Sequence, residues 1–239
     1  MLLEVNNITK SYGSHKVLSD ISFTVERGEI VGVLGANGAG KTTLLRIVTC
    51  LLKADEGQVF FDGHPMTRDD LARVGYLPEE RGLYRRMKVG EQVLYLARLK
   101  GMKKSEAETS AHEWFQRLGA GAWWDRPASK LSKGMQQKVQ FIASVVHHPQ
   151  LLILDEPFSG FDKDNAAMLR REIESLSASG TAILLSTHNL DAARTLCSKT
   201  ITVDETPPAA PPPPEEAASA KRKKRDKKKK DYKKDYARF

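Results

Sequence analysis

The octapeptide Gly35-Ala36-Asn37-Gly38-Ala39-Gly40-Lys41-Thr42 has the spacing G-x-x-x-x-G-K-T, and the chemistry of that spacing is phosphate binding. Gly35, Gly38 and Gly40 let the backbone curl until its N–H groups converge on anionic oxygens. Lys41 would contact the β- and γ-phosphates of a nucleotide, the Thr42 hydroxyl would coordinate Mg²⁺, and Asn37 and Thr43 belong to the same phosphate-binding segment. A second pair of candidates, Asp155-Glu156, ends the apolar run Leu151-Leu152-Ile153-Leu154. If that run is a buried strand, both acids emerge at its mouth. Asp155 can then hold Mg²⁺ through water, and Glu156 can orient or deprotonate an attacking water. Alone, two adjacent acids read equally well as a solvated loop. A third segment, Leu131-Ser132-Lys133-Gly134-Met135-Gln136-Gln137, is by propensity a helix start with Ser132 as N-cap, and a helix N-terminus is also an anion site. His188, taken alone at the end of an apolar run, reads as a surface residue.

These groups act together only if the elements between them bring them together. Glu29–Leu34 is an apolar, β-branched run of the kind that forms a buried parallel strand, and it feeds the glycine-rich loop. Thr42–Leu52 follows with helical spacing of Leu44, Leu45, Val48 and Leu51/Leu52. Leu151–Leu154, Thr181–Ser186 and Thr200–Val203 are expected to be further strands, with helices over Asn165–Ser177 and Leu190–Leu196. Before them, Leu2–Val5 and Val17–Val25 read as strands joined through a turn at Tyr12-Gly13-Ser14, and Gln58–Phe61 as a short strand before Asp62-Gly63. From about residue 79 to 148 the texture changes to amphipathic helices, at Val89–Lys100, Lys104–Leu118 and Ser132 to about Val146. The pattern predicts an α/β core with a parallel sheet, an N-terminal antiparallel β subdomain and an inserted α-helical subdomain.

Composition narrows the class. The chain has 239 residues, a hydrophobic fraction of 40% and no apolar run long enough to span a bilayer. The N-terminus lacks the basic-then-apolar pattern of a secretory signal. Cys50 and Cys197 have no metal-ligand spacing and are expected to be reduced thiols. The net charge of +8 belongs to one end: Lys221–Phe239 holds 12 Lys/Arg and 3 Asp, leaving 26 basic and 27 acidic residues elsewhere. Six of the 11 prolines fall within Pro207–Pro214. We therefore expect a folded domain over 1–205 and a disordered tail over 206–239. Such a tail is functionally neutral, binds anionic lipid, or binds nucleic acid.

The order of phosphate loop, LSKGMQQ, LLILDEP and then His188 resembles the ATPase cassettes of ABC transporters over Leu2 to about Asp204. Several roles are implied by that resemblance. Ser132 and Gly134 stand at the positions that close over the γ-phosphate held by a partner cassette, with Lys133 in place of the usual glycine. Tyr12 matches the aromatic residue that stacks on adenine. Phe158-Ser159-Gly160-Phe161-Asp162 matches the loop linking the two sites of a dimer, and His188 matches a histidine that contacts the γ-phosphate. Glu79 occupies a position where the family usually has Gln, in a loop that touches Mg²⁺ and faces the membrane partner. YLPEERGLY with LSKGMQQKV resembles the export-type branch that includes sodium- and drug-efflux ATPases. The resemblance implies ATP and Mg²⁺ as ligands, and a homodimer or heterodimer of cassettes. It also implies membrane permease subunits as partners and a peripheral place on the cytoplasmic side of the membrane. One cassette, with about 90 residues between Lys41 and Leu131, fits a transporter subunit. The alternative is a soluble nucleic-acid-associated ATPase, which only the Lys-rich tail supports. A non-hydrolysing regulatory cassette is disfavoured by Glu156 and His188.

Overall fold

A computed structural model describes residues 1–80 and 82–204; Arg81 and the expectations for residues 205–239 lie outside the described residues. Two sheets organise these residues. The N-terminal one is antiparallel, in the order β2 (His15–Val25), β1 (Leu3–Tyr12), β4 (Glu56–Phe61), β5 (His64–Pro65). The hairpin between β1 and β2 turns at Gly13, whose φ of 62° suits a residue without Cβ. The second sheet is parallel, in the order β6 (Val74–Leu77), β7 (Leu151–Asp155), β8 (Ala182–Thr187), β3 (Ile30–Leu34), β9 (Lys199–Thr202). All five residues of β3 and of β7 and all six of β8 are buried, as expected of apolar strands covered on both faces.

The two faces of the parallel sheet hold different cores. Leu151, Ile153, Ala182 and Leu184 join the antiparallel sheet and helix α1 (Lys41–Val48). Leu152, Leu154, Ile183 and Leu185 face the other way. They pack with α2 (Val89–Leu99), α3 (Lys104–Arg117), α4 (Lys133–Val145) and α5 (Lys163–Ala178). A short helix, α6 (Leu190–Leu196), precedes β9. The anticipated fold class is therefore the observed one.

Three local expectations need correction. Helix α1 ends at Val48 and not at Leu52, because Cys50 takes a left-handed φ of 54° and the Leu51 and Leu52 amides turn back to the Arg46 carbonyl. Leu51 is left exposed. Leu99, expected on the apolar face of the amphipathic helix over Val89–Lys100 as its last leucine, is 65% exposed. The strand β6 has no counterpart in the sequence pattern. It has only four residues, V-G-Y-L, and Gly75 interrupts the β-branched signal. The glycine is a packing requirement, since a Cβ there would collide with the Ser144 carbonyl of α4. β6 pairs in register with β7, Leu77 opposite Leu154, which carries Pro78 and Glu79 to the same end of the sheet as Asp155.

Gly75→Ala should accordingly cost roughly 1–3 kcal/mol of stability through overpacking of the α4–β6 contact. Gly121→Ala, where a Cβ meets open space, should stay within about 0.5 kcal/mol of the parent. Equal urea midpoints for the two variants would contradict the packing role of Gly75.

Candidate functional site

The register of the parallel strands assembles the site. Leu34 of β3 lies opposite Thr187 of β8, and Asp155 of β7 lies opposite Ser186 of β8. The glycine-rich loop, the acidic pair and His188 thus leave neighbouring strands at one edge, the carboxyl end where α/β sheets bind ligands.

The loop's glycines are fixed by their surroundings. A Cβ on Gly35 would collide with the Val203 carbonyl. Gly40, at φ 108°, would bring its Cβ within 2.6 Å of Val17 Cγ1. Gly38 also has a positive φ, 88°, with open space around it. Lys41 opens α1 and is almost wholly buried; its ammonium donates to the Gly35 carbonyl at 2.9 Å and the Ala36 carbonyl at 3.0 Å. The cation is therefore held over the loop and aimed at the same small space as the loop amides.

The acidic pair is clamped by one hydroxyl. Ser186 Oγ donates to Asp155 Oδ1 at 2.6 Å and accepts from the Glu156 amide at 3.0 Å. Asp155 is 1% exposed, and its second oxygen, Oδ2, is buried with no hydrogen-bond partner. Glu156 takes φ 48°, a left-handed conformation rare for a residue with a side chain. Glu156 Oε1 lies 3.0 Å from His188 Nδ1, a distance at which an Nδ1–H donates to it, and 3.5 Å from Lys41 Nζ. One carboxylate oxygen thus joins residues from β3–α1, β7 and β8.

A cleft of about 500 Å³ opens beside this cluster, lined by Tyr12, Asn37, Gly38, Gly40, Lys41, Thr42, Thr43, Glu79 and Glu156, and also by His15 and Val17. Tyr12 stands at its rim with its ring 53% exposed, available for stacking. Ser132 and Gly134 do not line this cleft. Ser132 is exposed at the N-terminus of α4, where its Oγ accepts from the Met135 amide at 3.3 Å. The expected members of one chain's half-site converge, and the segment expected to act on a second chain stays outside.

Sequence reasoning missed Ser186, which holds both acids. Its signal was a hydroxyl residue ending an otherwise apolar strand. It also missed the bonds that tie α4 to the acidic loops: Gln137 Nε2 donates to the Pro157 carbonyl at 2.9 Å, and Gln140 Nε2 to the Glu80 carbonyl at 3.2 Å.

With this geometry in view, the chain can be compared with known proteins. A family model described as ABC transporter matches residues 18–159. An ABC transporter ATP-binding protein of Bacillus subtilis (strain 168), YhaQ, is 44% identical over 196 residues, 82% of this chain and 66% of that protein. The chain therefore spans about two thirds of the length of that relative. LptB of Haemophilus influenzae, a lipopolysaccharide export system ATP-binding protein, is 32% identical over 208 residues, 84% of this chain and 86% of the relative. A solved structure described as the ATP-binding subunit of an ABC transporter superposes with a TM-score of 0.80 at 30% identity, covering 85% of this chain and 86% of the other.

Ser186→Ala leaves buried Asp155 without its hydrogen-bond donor, so it should lower stability by about 1–3 kcal/mol in divalent-free buffer. Because the loss falls at a carboxylate able to hold a cation, millimolar Mg²⁺ with ATP should stabilise this variant as it stabilises the parent. Urea unfolding with and without MgATP measures both effects. An unchanged midpoint in divalent-free buffer would remove Ser186 from the clamp.

Proposed function

Because this chain belongs to the ABC transporter family of ATP-binding proteins, we propose that it is an ATP-hydrolysing subunit that drives transport, in the export direction, through separate membrane subunits. The observation that carries this reading is the convergence of Lys41 and His188 on one carboxylate oxygen of Glu156 beside the glycine-rich loop. ATP lies with its adenine against Tyr12 and its phosphates on the amides of Gly35–Thr43. Lys41 neutralises charge on the β- and γ-phosphates. Glu156 takes the proton of the attacking water, and His188 holds that carboxylate while reaching the γ-phosphate. The chain's contribution to rate is positioning and charge stabilisation.

The site also fits Mg²⁺. Asp155 presents a buried oxygen with no other partner, and Thr42 places a hydroxyl in the same cleft. No cluster of three or more His, Cys, Asp or Glu side chains suited to a metal occurs among the described residues. That suits an ion held by few protein ligands together with substrate phosphates. When bound, Mg²⁺ supplies charge neutralisation across the phosphates, with Thr42, Asp155 and Glu79 as its protein side.

Two placements support assembly. Exposed Ser132 and half-buried Gly134, at the start of α4, are positioned to meet the γ-phosphate in a second cassette, a second copy or a homologue, arranged head to tail. A groove of about 580 Å³ next to the Glu79 loop, lined in part by Arg68, Tyr76, Leu83 and Leu99, supports docking of a membrane subunit. Burial pushes the His147 imidazole in that groove down to about 4, so it presents a neutral ring there. Among the described residues no helix is long and apolar enough to cross a membrane. We place the chain at the cytoplasmic face, attached through those subunits. The export direction is supported by the likeness to LptB, an ATP-binding protein of a lipopolysaccharide export system. The domain itself is taken as residues 1–205.

Glu156→Gln should lower phosphate release by roughly 10²–10⁴-fold, the range for loss of a general base. Binding of a fluorescent ATP analogue should remain within about threefold of the parent, since the amide oxygen still accepts from His188 and Lys41 keeps its bonds to the loop carbonyls. Near-normal hydrolysis in that variant would sink the assigned role.

A further inference from the structure

A second, smaller cavity of about 270 Å³ lies behind the nucleotide cleft. Three carboxylate residues line it: Glu79, Glu80 and Asp155. Lys133 is the one cationic residue among its described lining residues. Glu79 lines both this cavity and the nucleotide cleft, so it forms part of the wall between them. A negative side chain in that wall makes the potential more negative where the triphosphate must sit. A cation on its far side offsets that field, modestly, because Lys133 and Glu79 are both exposed to solvent.

The stem of Lys133 runs close to the backbone of the loop after Glu156. It passes over Gly160, where a Cβ would lie 2.8 Å from Lys133 Cε and 2.9 Å from Nζ. Gly160 has a φ of 80° and leaves the room the stem needs. No ion pair within 4 Å joins Lys133 to a carboxylate among the described residues. Its ammonium therefore biases the position of the exposed Glu79 side chain across the shared cavity without a fixed ion pair. Gln137 and Gln140, from the next turns of the same helix, line the cavity too and hold the Pro157 and Glu80 carbonyls, which fixes the distance between α4 and both acidic loops.

We propose that Lys133 is a positioning residue of its own chain's nucleotide site, attracting the Glu79 carboxylate to the cavity side of the shared wall so that a carboxylate is tolerated next to the phosphates. This rests on the nucleotide-site reading above and adds a residue to it. The rival role for Lys133 is direct contact with the phosphates held by a second cassette. The two differ in whether the effect of Lys133 depends on Glu79.

The test is a double-mutant cycle in the full chain, read by equilibrium binding of a fluorescent ATP analogue and by the KM for ATP. Lys133→Met keeps the stem over Gly160 and removes the charge. It should weaken ATP binding about fivefold, close to 1 kcal/mol, and raise KM more than it lowers kcat. Lys133→Arg should restore binding to within twofold. In a Glu79→Gln background, Lys133→Met should change binding by less than twofold. A fivefold loss that persists in that background would overturn the proposal and favour contact with the second cassette. Unchanged binding in Lys133→Met alone would also overturn it. If the parent chain itself bound no ATP, the nucleotide-site reading would fail and this inference with it, whereas binding without coupling would sink this inference alone.

Discussion

Parallel pairing of β8 with β7 on one side and β3 on the other is the constraint on which the rest of the structure depends. In a parallel sheet, residues at equivalent heights share an edge, and the register puts Leu34, Thr187 and Asp155 at the carboxyl edge together. The glycine-rich loop lies more than a hundred residues before the acidic pair, and His188 lies 32 residues after Glu156, yet they need no further device to meet. A one-residue slip of β7 would turn Asp155 to the other face and bury its charge in a core without a donor. The alternation of apolar side chains into two separate cores penalises that slip at every position of the strand.

Convergence brings an electrostatic cost, and the local structure is arranged around it. Lys41, Asp155 and Glu156 are each more than nine-tenths buried. Isolated charges at that depth are strongly unfavourable. Each is met by a specific group: the Gly35 and Ala36 carbonyls for Lys41, Ser186 for Asp155, Lys41 and His188 for Glu156. The left-handed backbone at Glu156 belongs to the same arrangement. It turns the carboxylate toward Lys41 and lets the amide reach both the hydroxyl and the carbonyl of Ser186. Strain of this kind persists only where surrounding bonds over-determine it.

The parts of this arrangement that were legible in the sequence are those with a strong one-dimensional signal. The strands β3, β7 and β8 announce themselves because full burial demands unbroken apolar runs, and the loop between β3 and α1 because only glycine satisfies its backbone and its neighbours. The cap of α4 at Ser132 and the span of α6 were also visible as local chemistry. What escaped is three-dimensional in origin. β6 contains a glycine that only the α4 carbonyl above it explains. Leu51 and Leu52 continue a helical pattern, but the backbone reverses at Cys50 before it can be used. Ser186 is unremarked in sequence because a serine at a strand end has many ordinary uses. Its role depends on which acid the sheet sets beside it.

The same logic bears on how α4 relates to the site it does not enter. Ser132 is exposed at its start and Gly134 half-buried, and neither lines their own chain's cleft. The body of α4 nevertheless holds that cleft from behind. Gln137 bonds the loop following Glu156, Gln140 bonds the loop following Glu79, and the Ser144 carbonyl rests on Gly75 of β6. These contacts sit on successive turns of one rigid element. A tilt of α4 that carried Ser132 toward a second cassette must break these bonds or drag both acidic loops with it. On the proposed reading, engagement of a partner's phosphate by the start of the helix and the placement of Glu79 and Glu156 in the helix's own chain are therefore one mechanical event, which is the coupling a two-site ATPase needs between its halves.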